Sequence, residues 1–257
     1  VSTIVYASDL HGNREAYDRL FDLPADAVVL GGDLLPYPLK RGGDLLELQR
    51  NFVADYLAEK FSTRPCYWIP GNDDWESVLA PLAEKGTAIH GRSVPFLDGL
   101  SIAGYGCVPI TPFGMKDFDR YDLAGWEPLS VPRRCLRSSS AGIGDVSLQS
   151  LQARPTIEED LTRLAAQSDP ARTVYVFHSP PYATTLDRLH GGITPIGSRA
   201  VRTFIDRRHP PLTLHGHVHE SPGVERLGTT VCANPGDSMM RLQALRVDLA
   251  DFRVTPV

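Results

Sequence analysis

Short apolar runs alternate with helix-spaced stretches along most of the chain. Runs at 3–7, 27–30, 66–69, 100–103, 174–177, 212–214 and 229–233 are brief and rich in β-branched or aromatic residues, with Gly, Asp or Pro at their ends. This pattern predicts buried strands. Between them, apolar residues return at helical spacing over 14–21, 44–60, 157–166 and 198–208, with Ser198 as the expected N-cap of the last helix. Strands alternating with helices predict βαβ units in a layered α/β domain. From Arg241 onward, Leu242, Ala244, Val247 and Leu249 predict closing antiparallel strands. Residues 105–155 differ. They are dense in Gly, Pro, Ser and Arg, with no clear periodicity beyond a short strand or two, and predict an irregular, lid-like insertion in a single domain spanning 1–257.

Polar chemistry collects where the runs end. The first is followed by Ser8-Asp9-Leu10-His11-Gly12-Asn13, the second by Gly31-Gly32-Asp33, and the third by Pro70-Gly71-Asn72-Asp73-Asp74. The run at 174–177 leads into His178, and 212–214 into His215-Gly216-His217-Val218-His219. In open α/β sheets, ligand sites lie outside the carboxyl ends of the strands, so all five groups are expected at one edge. A single Asp or Asn there is ordinarily a turn or cap, and a single His an ordinary buried or surface histidine. Five strand ends carrying such residues together make coordination the stronger reading. Asp9 and His11 are two apart, as are His217 and His219, so on extended segments each pair faces one way. Mixed carboxylate, amide and imidazole donors suit Mn²⁺, Fe or Zn²⁺ better than Ca²⁺. Seven ligand candidates exceed the capacity of one ion. Two ions about 3.5–4 Å apart are the arrangement that hydrolyses phosphate esters.

Composition narrows the partners. The 26 basic and 31 acidic residues leave a net charge of −5, which argues against extended nucleic acid held by surface charge. With 42% hydrophobic residues, disorder is not expected. The 21 Asp against 10 Glu supply a surplus of a common turn residue and hard-metal ligand. Cys66, Cys107, Cys135 and Cys232 form no CxxC pair and read as reduced thiols, so a cytoplasmic location is expected. No apolar run approaches the roughly 18 residues of a membrane span, and no leader pattern precedes the first strand.

With Asp9-x-His11, Gly32-Asp33, Gly71-Asn72-Asp73, His178 and Gly216-His217-x-His219 in this order, the chain resembles the calcineurin-like metallophosphoesterases. The resemblance implies a β-sandwich of two mixed sheets flanked by helices. It implies one metal on Asp9, His11, His219 and a bridging Asp33, and a second on Asp33, Asn72, His178 and His217. Manganese is expected first, with iron or zinc as alternatives. A metal-bridging hydroxide would attack phosphorus in a small phosphoester without a covalent enzyme intermediate.

The chain departs from the family pattern at Asp73, where most phosphomonoesterases of the family carry His. An ionised Asp73 cannot donate a proton, and its charge opposes a dianionic monoester more than a monoanionic diester. A phosphodiesterase is therefore expected, with Asp33 and Asp73 as the catalytic candidates. The alternatives are a phosphomonoesterase of the same family and a non-catalytic metal-binding scaffold for protein interaction. No GxSxG, P-loop or HExxH supports another hydrolase class. Asn13 and Arg14 are candidates for substrate phosphate, against a solvated helix start. Arg133, Arg134 and Arg137 are candidates for steering an anion, against a solvated face. Residues 104–113 are a candidate pocket wall. His190-Gly191-Gly192 and Gly197-Ser198-Arg199 flank a loop whose following helix could bind an anion. His90, His209 and His215 read as structural.

Overall fold

The computed structural model describes residues 1–37, 44–189 and 194–257. The segment His190-Gly191-Gly192 lies outside the described residues. Two six-stranded sheets face each other. The first has the order Arg253–Pro256, Leu245–Asp248, Thr3–Ala7, Ala27–Leu30, Cys66–Trp68, Thr87–Ala88. Its last four strands are parallel, and the chain's final two strands close it antiparallel, as their alternation predicts. The second has the order Gly223–Leu227, Thr230–Asn234, Leu212–Leu214, Thr173–Phe177, Ser101–Tyr105, Ser93–Pro95, with parallel pairing among its four central strands.

Period-two burial explains the layering. Ile4, Tyr6 and Val29 meet Ile102, Val174, Val176, Leu212 and Leu214 between the sheets. Val5, Ala7, Val28 and Leu30 instead belong with the helical residues Tyr17, Leu20, Phe52 and Leu57. Each strand is thus apolar on both faces, as a sheet covered on both sides requires. Burial of each such side chain stabilises by about 1.5–3 kcal/mol.

The helices start where local chemistry caps them. Asn13 caps Arg14–Asp22, Asp44 caps Leu45–Phe52, and a Thr156–Glu159 capping box opens Ile157–Ala165. Ser198 caps Arg199–Arg208, as expected. The 44–60 stretch is less regular than its spacing predicts, because a π-helical segment, Val53–Leu57, joins Leu45–Phe52 to Ala58–Phe61.

The 105–155 stretch holds only short elements. Val108–Pro109 pairs with Asp119–Arg120, Leu136–Ser139 forms a hairpin with Gly142–Asp145, and Leu148–Gln152 is a short helix. These elements were illegible because they are short and held by polar contacts. Lys116 Nζ, buried with its partner, lies 2.5 Å from Asp119 Oδ2 and donates to the Thr111 carbonyl and hydroxyl, each at 3.1 Å. Asp117 accepts the amides of Glu76 and Ser138.

Candidate metal centre and its cleft

The parallel strands deliver their carboxyl ends to one rim, where the two sheets meet. Asp9, Asp33 and Asn72 follow strands of the first sheet, and His178, His217 and His219 follow strands of the second. Backbone stitches hold the rim closed. The Tyr6 hydroxyl donates to the His215 carbonyl at 2.8 Å, and the Gly216 amide donates to the His178 carbonyl at 3.0 Å.

Four of the candidate ligands hold unusual backbone conformations. Asp9, His11, Asp33 and His217 have φ of 55°, 44°, 49° and 66°, a region costly for non-glycine residues and found preferentially at functional sites. The glycines beside them allow the close approach. A Cβ on Gly216 would stand 1.9 Å from Ser8 Oγ and 2.4 Å from Asp9 Oδ2, and one on Gly71 would stand 2.2 Å from Asp33 Oδ1.

The donor atoms form two groups that share one carboxylate. Asp9, His11, Asp33 and His219 make one group, and Asp33, His178 and His217 the other, with the ligand atoms of each group within 4.8 Å of one another. Asn72 joins the second group, its Oδ1 3.3 Å from His178 Nε2. The Asn72 Nδ2 donates to Asp73 Oδ1 at 3.0 Å, which turns the amide oxygen toward His178. His178 Nδ1 donates to the Gly31 carbonyl at 2.8 Å, orienting Nε2 toward Asp33 Oδ2 at 3.3 Å.

The donor chemistry fits cations. His11 Nε2 and His219 Nε2 face each other at 3.4 Å, and His219 Nε2 is 3.2 Å from Asp9 Oδ1. Lone pairs crowded in this way need a proton or a metal between them. In the polypeptide alone, burial lowers the affinity of His178 for a proton, but Asp33 outweighs it and raises the imidazole to about 10. Burial likewise opposes protonation of His219, and the hydrogen bond to Asp9 raises it to about 9. Burial, then the charge of His178, depresses His217 to about 4, which leaves it neutral and ready to coordinate. Asp33 stays well below the usual carboxylate range despite burial, chiefly through His178. Asp73 moves the other way: burial, then the charge of Asp33, pushes its carboxyl up to about 8. A cation arriving here takes the place of protons on His178 and His219, and favours the ionised form of Asp73.

Other polar residues brace the rim. Asp74 is buried and accepts the amides of Leu34, Leu35 and Gly71 at 3.2, 2.8 and 2.8 Å, tying the two carboxylate loops together. Gln49 accepts the Trp75 amide and donates to the Asp73 carbonyl. Sequence reasoning missed both. The doubled acid Asp73-Asp74 was a signal for the first; a lone Gln within a helix offered none.

A cleft of about 470 Å³ opens from the cluster, with Asp33, Asn72, Asp73, His217 and His219 at its base. Pro109, Ile110 and Phe113 line one wall, so the expected pocket wall does face it; Trp126 and Leu129 extend that wall, and Tyr182, Leu189 and Ile196 stand among the remaining lining. Arg199, at the start of a helix, has its guanidinium 4.3 Å from the Trp126 ring centre and 3.7 Å from that of Tyr182.

Two sets of candidates lie outside the lining of this cleft. Asn13 and Arg14 do not line this cleft. The Asn13 side chain caps its helix and donates to the carbonyls of Ser238 and Met239. Arg14 lies over the Tyr56 and Phe52 rings at 4.9 and 5.8 Å. The arginines of the 105–155 segment also lie outside the lining. Arg134 pairs with Asp145, and Arg137 with Glu76 and Asp117. His90 and His215 are held in structural hydrogen bonds, and His209 is the left-handed C-cap of Arg199–Arg208.

Fold and rim define a metal-binding α/β sandwich with a hydrolase-type centre. Residues 2–221 match the family described as calcineurin-like phosphoesterase, and the chain belongs to that family. It is 24% identical over 236 residues to the uncharacterized protein MJ1162 of Methanocaldococcus jannaschii, covering 90% of this chain and 87% of that one. Its fold is similar to that of TT1561 of Thermus thermophilus, with a TM-score of 0.58 and 20% identity, covering 100% of this chain and 98% of that one. Another crystal structure matches with a TM-score of 0.68 at 16% identity, over 100% of this chain and 98% of that one. Among the described residues, no helix is long and apolar enough to cross a membrane.

Proposed function

We propose that this protein is a dinuclear metal-dependent phosphodiesterase acting on small phosphoesters. The observation that carries the reading is the sharing of Asp33 between two donor groups, four of whose members sit in left-handed backbone conformations. Asp9, His11 and His219 would hold one ion with Asp33; Asn72, His178 and His217 would hold the other. Manganese is the first candidate, with iron or zinc next. When bound, such ions neutralise phosphoryl charge and acidify water near neutral pH. The net reaction adds a water oxygen to phosphorus and breaks one ester P–O bond. The departing alcohol leaves with a proton, and a phosphomonoester remains.

The residues have separable tasks. Gly31 orients His178 through its carbonyl. Asp73, beside the cleft base, orients Asn72 and offers an acceptor where a histidine would offer a donor. Its carboxylate beside the cations adds a negative charge that a dianionic monoester meets more strongly than a monoanionic diester. With added Mn²⁺, bis-p-nitrophenyl phosphate is therefore expected to turn over faster than p-nitrophenyl phosphate. Asp73→His is expected to shift that ratio toward the monoester by about tenfold. Faster monoester cleavage by the wild type would sink the diester preference.

A further inference from the structure

The cleft beyond the cluster is built for something other than phosphate. We infer that it receives the organic group of a phosphoester whose alcohol part is apolar, alkyl or aryl, and that it discriminates against nucleosides. This rests on the phosphoesterase reading for the position of the phosphoryl group and on the cleft itself for the remainder.

Three observations carry it. First, the wall is apolar and partly uncovered: Phe113, Trp126, Leu129 and Leu189 are 53%, 39%, 67% and 44% exposed, although all line one cleft. Clustered exposure of large apolar side chains beside a polar site marks a ligand surface. Second, two polar side chains of the lining, Asp122 and Thr111, are already engaged by the protein. Asp122 accepts the Ser198 hydroxyl at 2.5 Å and the amides of Arg199 and Ala200 at 2.7 and 3.3 Å. The Thr111 hydroxyl bonds to Asp119 and Lys116. Reading a base edge needs hydrogen-bonding groups aimed at the ligand, and these two are turned into the protein. Third, charge in the lining opposes a second anionic group. Among the described residues, Asp73, Asp122 and Glu220 share the cleft with one basic side chain outside the histidines, Arg199.

Arg199 has a bracing role. Its guanidinium lies between the Trp126 and Tyr182 rings, so it joins the wall carrying Trp126 to the wall carrying Tyr182. Its backbone amide donates to Asp122 Oδ2 at 2.7 Å, while the guanidinium rests on the two rings. The stack holds the two walls apart at a fixed width, which lets an apolar chain enter with little reordering.

The test titrates the Mn²⁺-supplemented protein with methylphosphonate, hexylphosphonate and a nucleoside 5′-phosphonate, read by calorimetry and tryptophan fluorescence. Hexylphosphonate is expected to bind at least about tenfold tighter than methylphosphonate, because several methylenes leave water. The nucleoside phosphonate is expected to bind no tighter than the methyl compound. Leu129→Asp, at an exposed position that folding does not need, is expected to bring the hexyl-to-methyl ratio close to one. Equal affinities for hexyl and methyl, no binding of either, or tightest binding of the nucleoside compound would overturn the inference. Turnover of bis-p-nitrophenyl phosphate is measured on the same sample. Hexyl-selective binding without turnover supports the apolar subsite while removing the phosphoesterase reading. Turnover without hexyl selectivity does the reverse.

Discussion

At the rim, ligand side chains are aimed by backbone. Strand ends, glycines and four left-handed residues bring Asp9, His11, Asp33 and His217 to within reach of common centres. In the cleft wall the order is reversed. Short strands and a hairpin are held by side chains: Lys116 with Asp119, Asp117 with Ser138, and Asp122 with the start of the Arg199–Arg208 helix. The first arrangement concentrates strain and like charge where chemistry occurs, so its residues should matter more for activity than for folding. The second replaces a missing apolar periodicity with buried polar pairs, so its residues should matter first for stability.

The largest effect should come from the shared ligand. Asp33→Ala is expected to lower metal-dependent turnover on the order of a thousandfold, because both donor groups lose their common carboxylate. Bound metal per chain, measured after gel filtration, should fall with it. Full metal content together with full activity would break the contrast at its stronger end.

The wall should respond in urea. Lys116→Met leaves Asp119 buried without its cation and is expected to cost about 3–5 kcal/mol. Adding Asp119→Leu should recover at least half of that loss, since an apolar pair replaces a stranded charge. If the single variant unfolds at the wild-type midpoint, the polar pair does not hold the wall.

A smaller effect should appear in acid. His90 accepts the Gly106 amide at 2.9 Å and stacks against Tyr105, behind the wall. Burial, then Arg120, lowers its imidazole to about 4. The folded state therefore binds fewer protons than the unfolded chain, whose histidine titrates near about 6.5. The stabilisation is complete above about pH 6.5 and is lost as pH falls toward the folded value. The residue is mostly buried, so the effect is on the order of 1–3 kcal/mol. His90→Gln keeps an acceptor for Gly106 and should flatten stability between pH 6.5 and about 4.5. An unchanged slope would remove His90 from the account.

Strands Thr3–Ala7, Ala27–Leu30 and Leu212–Leu214 were readable because each is a short apolar run with a turn residue at its end, a local property. The strand Ser101–Tyr105 extends past its predicted end because it continues through Gly104, which carries no hydrophobic signal. The candidate ligands were readable for a related reason. Parallel strands in a sandwich share a direction, so residues that follow them in sequence meet at one edge. Proximity in sequence to Asp9 and His11 says nothing about the facing of Asn13 and Arg14. Asn13 turns into its own helix cap, and Arg14 lies on Tyr56.

Run length, period and the order of motifs along the chain were enough for the main strands, the closing pair and the residue types at the rim, because these are local properties. The fold had to form before Asp33 could stand between both donor groups, before Asp73 could turn the Asn72 amide, and before Trp126, Tyr182 and Arg199 could stack across a cleft. Those facts depend on contacts between side chains whose facing is set by packing, and on polar pairs such as Lys116–Asp119 whose burial no local pattern records.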